Sequence, residues 1–505
     1  MLKYTGHPLV DVGLATITAF ANKDSPEELV EADLEAIAGF MEREYVQQPL
    51  KSYLTVAFTS NAWFIQDAYN PNPKGKTLSA PEKAARLAKR KELSDAHLRQ
   101  WGSTSSRNTD LRCVFTSLPA ITVELSGKLP SGKAARCQIP LLQGDETINF
   151  FSDGDAGIAI SGEALLAIQA LPLGSAKCGG RLFFVHSDNL EIMRYFAGRF
   201  LEENKLAIHM AQQNGNEKMP EPAHKYRTLL VEMLLEALRR QLEQQNAGQP
   251  FSLTAYHLTN SGQGVDLNIY HFPNQVILYL REMLSATYSA AWKELVHRAW
   301  EITEAKRGET QAPEPARNYL YEDLFGVADD VSRNAPRFIR TYFMRQAFRF
   351  AKDKIDPRGT YSLQSESALV SWKLTEPFLR RIVHMETQRI ENIRQMGDAL
   401  AAYIQHQNDK RFFRNFYVIG RYDYLRNVLI KANTEHVKRG NKPFLALDSY
   451  ISVFEEGEEV ARADWRLARD LVLIRMVEQL YANGWLGANQ DALPEETIEE
   501  TPEQA

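Results

Sequence analysis

Two periodicities of apolar and polar positions alternate along this chain, and the changes between them divide it into segments. Residues 1 to about 50 read as helical. There "DSPEELVEADLEAIAGFMEREY" opens with Asp24 or Ser25 as N-cap, Pro26 in the first turn and acids where the helix dipole favours them. "SYLTVAFTSNAWF" reads as a strand that breaks at Asn61, "NPNPKGKTLSAP" as a Pro/Gly loop, and "PEKAARLAKRKELSDAHLRQW" as a basic amphipathic helix. From about 111 to 190 the pattern turns to β: "ITVELSG", "RCQIPLL", "TINFFS" and "RLFFVHS" are short runs separated by Gly, Pro and Ser. Inside this region "SGEALLAIQALPLG" predicts a short helix capped by Ser161 and closed by Pro172 and Gly174. Helical spacing returns in "NLEIMRYFAGRFLEENKLAIHMAQ" and "KYRTLLVEMLLEALRRQLEQQ". "FSLTAYHLTNSGQGVDLNIYHF" then gives two alternating runs joined by Asn-Ser-Gly-Gln-Gly, a hairpin signal.

"EAKRGETQAPEPARNYL" reads as an exposed connection. Beyond "DVSRNAPRF" only helical periodicity is found, in about five segments from "FIRTYFMRQAFRFAK" to "DWRLARDLVLIRMVEQLYANG". The expected fold is α+β: a mixed N-terminal lobe of helices and short antiparallel strands over 1–330, then an all-α helical bundle over 335–487. An acidic, disordered tail is expected over 488–505.

A chain of 505 residues can bury more than one core, and its 44% hydrophobic and 24% charged content is that of a globular protein. The apolar stretch "LVDVGLATITAFA" carries Asp11, is too short to span a bilayer and lacks a basic leader. Three cysteines argue against a disulfide framework and for a reducing compartment, so a cytoplasmic location is expected, with no membrane partner. Net charge is −5, but its distribution is uneven. Between Arg337 and Lys442 stand 21 Lys/Arg against 10 Asp/Glu, whereas from Leu445 onward 14 acids stand against 4 Arg. A mildly acidic protein with one basic segment is a better nucleic-acid candidate than its overall charge suggests.

Catalytic constellations are missing from the pattern. The eleven histidines are scattered, "DGDAG" at 153–157 reads as a tight turn, and no phosphate-binding glycine loop opens a helix. Two stretches resemble half of a zinc knuckle. Cys113 opens "CVFT" with Thr116 where a second Cys belongs, and Cys178 closes "SAKC" with Ser175 where the first belongs. A structural zinc site wants four thiolate or imidazole ligands, and two thiolates leave it half coordinated. The region 113–178 therefore reads as a degenerate knuckle, with Cys137 and His186 off its spacing and with no metal and no cofactor expected.

Binding features are richer. Arg337, Arg340, Arg345 and Arg349 alternate with Phe338, Tyr342, Phe343, Phe348 and Phe350, and Lys410, Arg411, Arg414 and Arg421 repeat the idea in "NDKRFFRNFYVIGRYDYLR". Cations neutralise phosphates while aromatic faces accept unpaired bases. Lys438, Arg439 and Lys442 extend the second set. The hairpin tip presents Thr259, Asn260, Ser261 and Gln263, short amides and hydroxyls able to read base edges in a groove, with Asn61 as a second candidate. Lys74 and Lys76 on their loop, and Lys83, Arg86, Lys89 and Arg90 on the basic helix, would hold duplex phosphates.

With these stretches assembled, "MLKYTGHPLVDVGLATITAFA", "PLKSYLTVAFTSNAWF", "INFFSDGDAGIAISGEALLAIQALPLGSAKCGGRLFFVHSDN" and "TAYHLTNSGQGVDLNIYH" resemble the CXXC–CXXC family, the large subunit of the type I-B CRISPR surveillance complex, Cascade. The resemblance covers most of residues 1 to 300; the helical part matches in character more than in motif. It implies a non-catalytic subunit that reads the protospacer-adjacent motif in target duplex, helps to open the strands and stabilises the displaced one, while base pairing reads sequence. The implied partners are CRISPR RNA, target DNA, the backbone, handle-capping and small subunits of the complex, and a helicase-nuclease or transposition proteins downstream. It also implies that an internal start, for which Met344 and Met385 are candidates, yields the helical part separately. Two other readings stand beside it: a metal-dependent nuclease subunit that cleaves its target, and an assembly factor that touches only guide RNA and protein.

Overall fold

The computed structural model describes residues 2–73, 75–102, 107–147, 154–244, 250–260, 264–305, 312–456 and 460–493. The fold is α+β, and the chain divides into two compact units, Met1–Tyr226 with Ala247–Phe272, and Arg227–Asn246 with Pro273–Ala505. The chain thus crosses between the units at 226/227, 246/247 and 272/273, so that the segment 227–246 and the helices 274–283, 289–297 and 319–329 belong to the second unit, whereas the pattern places everything up to 330 in the N-terminal lobe.

In the first unit the helices are α1 (Pro8–Phe20), α2 (Glu31–Glu44), α3 (Leu50–Leu54), α4 (Ala80–Leu98), α5 (Gly162–Ala170) and α6 (Leu190–Gln213). Two minor ribbons pair β1 (Arg107–Arg112) with β2 (Pro119–Ile121) and β3 (Lys133–Ala134) with β4 (Ile158–Ala159). The main sheet is antiparallel and runs β5 (Ala176–Cys178), β6 (Arg181–Ser187), β7 (Leu253–Thr259), β8 (Asp266–Phe272). Helix α1 is the centre of this unit: every residue from Leu9 to Thr18 is buried, as a helix with apolar residues on every side requires, and the one acid among them, Asp11, accepts from the Thr5 and Gly6 amides. Its two threonine hydroxyls are satisfied within the helix, Thr16 donating to the Val12 carbonyl and Thr18 to that of Leu14, each at 2.7 Å. Gly13 lets α1 and α5 approach so closely that a Cβ there would stand 2.0 Å from the Ala167 carbonyl oxygen.

The expected strand over 52–64 is instead α3 followed by turns. Its apolar residues form a continuous run rather than an alternation, and such a run is read equally well by a buried helical turn. Tyr53, Leu54, Val56, Ala57, Phe58, Ala62 and Trp63 are all buried, and the Tyr53 hydroxyl donates to the Pro172 and Ser175 carbonyls at 2.8 Å each. "RCQIPLL" is also turn rather than strand, held by the Gln138 side-chain oxygen accepting from the Ala135 amide (3.1 Å). "ITVELSG" is strand only at Ile121, and "TINFFS" lies outside the described residues beyond Thr147.

The second unit is helical: α7 (Tyr226–Glu243), α8 (Asn274–Met283), α9 (Ser289–His297), α10 (Tyr319–Asp329), α11 (Val331–Phe338), α12 (Leu363–Glu366) and α13 (Trp372–Phe378). They are followed by α14 (Thr387–Gln407), α15 (Lys410–Val418), α16 (Tyr422–Lys438), α17 (Leu447–Phe454), α18 (Trp465–Ala482) and α19 (Trp485–Ala488). Gly397 brings α14 against α18, where a Cβ would meet Arg475 at 2.7 Å. The helix expected to run through "FIRTYFMRQAFRFAK" stops at Met344. Pro336 inside α11 cannot donate to the preceding turn, the next five residues widen into a π-turn (Ile339–Phe343), and Arg345 ends it in the left-handed region at φ 61°. Pro377, a π-turn at Leu379–Val383 and His384 at φ 57° repeat the arrangement after α13, and the rings of Phe338 and Phe378 stack at 5.0 Å. At the C-terminus the packed chain continues past the expected end, with Ala492 and Leu493 buried; residues 494–505 lie outside the described residues.

Candidate nucleic-acid interface

The loop after Cys178 keeps the shape of a knuckle for a reason other than sulfur. Gly179 and Gly180 are both left-handed, at φ 59° and 75°, so their successive amides point to one side and form an anion nest. That nest holds the Glu221 carboxylate, with the Gly179 amide donating at 2.6 Å and the Gly180 amide at 3.3 Å, and the Lys177 ammonium 3.6 Å away. Ser175, where a second thiolate belongs, is fully buried and donates its hydroxyl to the Leu171 carbonyl (2.7 Å). In the other half-knuckle the Thr116 hydroxyl stands 3.1 Å from that of Ser161 and accepts from the Leu118 amide. Burial pushes the Cys178 thiol up to about 12, and it raises that of Cys137, which accepts from the Thr59 hydroxyl. His186 faces Asp11 at 3.3 Å rather than a cysteine. The residues present therefore do not fit the zinc centre that the resemblance implies, and among the described residues no three His, Cys, Asp or Glu side chains gather closely enough to hold an ion.

The duplex-reading candidates separate sharply. Asn260 is fully buried. Its side-chain oxygen accepts from Arg136 Nε (2.9 Å) and the Leu141 amide (3.4 Å), and its nitrogen donates to the carbonyls of Ala57 (3.1 Å) and Arg136 (3.3 Å). An amide spent in this way has nothing left for a base edge, so Asn260 is a tie between the hairpin and two distant loops rather than a reader. Thr259 closes β7 opposite Asp266, while Ser261 and Gln263 lie outside the described residues. Asn61 is exposed, and its backbone carbonyl accepts from Gln66 Nε2 (2.7 Å).

Helix α4 forms as expected, Ser79 and Glu82 making a reciprocal capping box. Its cations are largely committed. Arg86 donates to the carbonyls of Asp67 (3.1 Å) and Asn70 (3.0 Å), and Arg90, whose pKa burial lowers, to that of Tyr69 (3.2 Å). These two arginines fasten the preceding loop instead of waiting for phosphate. Lys89 pairs with Glu92, and Lys91 and Arg99 meet Glu42 from α2. Lys76 and Lys83 remain exposed; Lys74 lies outside the described residues.

In the helical unit the first basic cluster is divided: Arg340 and Arg345 turn to buried acids, whereas Arg337 and Arg349 are exposed. Arg345 is completely buried, with Nε and Nη2 at 2.9 and 2.6 Å from Glu366 Oε2 and its guanidinium 3.5 Å above the Tyr361 ring. Arg340 reaches the buried Asp470 at 2.5 Å. Neither serves as a phosphate ligand, and Phe338, Tyr342 and Phe343 between them are core. Arg337 is exposed and donates to Asn334 (3.0 Å).

The second cluster turns outward. Asn408 to Ala446 carries nine Lys/Arg against three Asp/Glu, the residues of α15, α16 and the loops around them. Lys410 pairs with the Asp491 carboxylate (2.8 Å), Arg414 donates to the Asp491 carbonyl with the carboxylate 3.6 Å away, and Arg439 contacts Gln407. Arg411, Lys438 and Lys442 are exposed, and among the described residues no carboxylate lies within ion-pair distance of them. Lys431 belongs with them and was missed by the sequence pattern, although its spacing of seven from Lys438 places both on one helix face. Tyr424, Ile430 and Val437 lie exposed on the same helix.

Scanned against models of protein families and against curated proteins, the chain matches none. No helix among the described residues is long and apolar enough to cross a membrane.

Proposed function

We propose that this chain is a non-catalytic, nucleic-acid-binding large subunit of a type I-B CRISPR surveillance complex, of the CXXC–CXXC type. In this reading it recognises the motif beside a protospacer in target duplex, promotes strand opening and stabilises the displaced strand, within a cytoplasmic assembly of guide RNA and protein subunits. The observation that supports the nucleic-acid part is the outward cluster Arg411, Lys431, Lys438 and Lys442, with no ion-pair partner among the described residues, on one segment of a chain whose net charge is −5. Unpaired cations on a mildly acidic protein release counterions when they meet phosphate, and that release drives salt-dependent binding. Lys76 and Lys83 offer a weaker cationic surface for duplex, and exposed Asn61 takes the reading role that Asn260 cannot.

The test is direct binding by the purified full-length chain to labelled duplex and single-stranded DNA over a salt series. The expected result is retention of both at low salt, with a single-strand salt slope that falls by about 0.7 for each of Lys431→Ala, Lys438→Ala and Lys442→Ala. No affinity for either DNA at low salt overturns the reading. With Mg²⁺ or Mn²⁺ added the DNA stays intact; hydrolysis would favour the nuclease alternative.

A further inference from the structure

We infer that the loop 346–355 of the helical unit is a stacking contact for unpaired nucleic acid, in which Phe350 takes a base and Arg349, Lys352 and Lys354 take the flanking phosphates. The inference rests on the nucleic-acid reading above and adds to it a site apart from α15 and α16. Of the aromatic residues in "RFIRTYFMRQAFRFAK", those before Arg345 are core, whereas Phe350 is 60% exposed. A phenylalanine held in water forgoes the burial that its ring would gain in a core.

This ring is not loosely displayed. Phe348 packs against it at 5.6 Å and 65°, and Phe348 is itself covered by the guanidinium of Arg358 (4.5 Å), which Asp323 and Asp356 hold at 2.7 Å each. The backbone is fastened at four points: Phe348 N–H to the Arg358 carbonyl, Ala351 to Phe348, Asp356 to Asp353, and Ile302 to Ile355, between 2.8 and 3.0 Å. Phe350 therefore stands at the tip of a tight turn on a fixed base, and Arg349 rides 5.0 Å from its ring centroid. Holding the platform in place beforehand spares a ligand the ordering cost.

Charge selects the ligand. Arg349, Lys352 and Lys354 are exposed, with Arg337 close by over Phe348 at 5.7 Å, and no described carboxylate lies within ion-pair distance of any of the four. Asp353 is the one acid within the loop. A single ring among cations suits a base and its phosphates, since every base has a face to stack and the backbone supplies the anions.

The experiment measures binding of the full-length chain to a labelled thymidine oligonucleotide, and in parallel to vesicles containing phosphatidylserine. Phe350→Ala is expected to weaken oligonucleotide binding about 5- to 100-fold with an unchanged unfolding midpoint, and Phe350→Trp to preserve it. Lys352→Ala with Lys354→Ala is expected to lower the salt slope by about 1.4. If the parent chain binds the oligonucleotide and Phe350→Ala binds it equally well, this inference fails while the nucleic-acid reading stands. If the parent chain does not bind it, both fail. If Phe350 governs vesicle binding and leaves the oligonucleotide unaffected, the loop is a lipid contact and the inference is overturned.

Discussion

Arg345 and Lys438 come from segments of one helical unit that are alike in composition, cations interleaved with aromatic residues, yet the first is sealed in and the second faces water. The difference lies in what stands opposite. Around Arg345 and Arg340 the aromatic residues fill the core and carry the arginines in with them, and two acids, Glu366 and Asp470, are placed to receive the guanidinium groups. Along α16 the buried stripe is Leu425, Leu429 and Ala432, which leaves the lysines on the far side, with no acid to meet among the described residues. Composition alone cannot tell a charge that holds a fold together from one held ready for a ligand; the partner decides.

Substitutions can sharpen that contrast, from the largest effect on stability to the smallest. Glu366→Ala strands the buried Arg345 guanidinium, and urea denaturation is expected to show a loss of about 3–5 kcal/mol. Asn260→Ala, which leaves its amide and carbonyl partners unpaired in the interior, is expected to cost about 2–3 kcal/mol by the same measurement. Discrimination between adjacent motifs, read by competition binding, is expected to persist in whatever protein stays folded, as a reader would not allow. Arg340→Ala is milder at about 1–2 kcal/mol, because Asp470 keeps Arg469 at 2.6 Å. Lys438→Glu or Lys442→Glu is expected to move stability by no more than about 0.5 kcal/mol, yet to reduce nucleic-acid binding in a filter or anisotropy assay. A comparable loss of stability from the lysine changes would erase the contrast.

How much of this was legible in the chain depended on how far apart the interacting residues lie. Local signals held: Ser161 caps α5, α4 forms where the basic amphipathic pattern lies, and β7 and β8 pair on either side of Asn-Ser-Gly-Gln-Gly. The strand at "RCQIPLL", most of that at "ITVELSG" and the helix through Arg345 did not hold, because tertiary packing settles short apolar runs and left-handed residues other than glycine. For the site, the outward cluster could be read from charge alone. The inward one could not: Arg340 finds Asp470 at a separation of 130 residues, and Asn260 finds Ala57 across 203. No window of sequence contains both members of such a pair, so a turn-like asparagine and a helix arginine look available until the fold is known.

The carboxylate of Glu221, held by the glycines after Cys178 from 42 residues away, changes what that position must be. A turn anchored by an acid from its own chain is complete as soon as the polypeptide is made, in a cell starved of metal as readily as in one replete with it. The sulfur at 178 then answers to packing alone, and a small apolar side chain in its place would leave the turn closed.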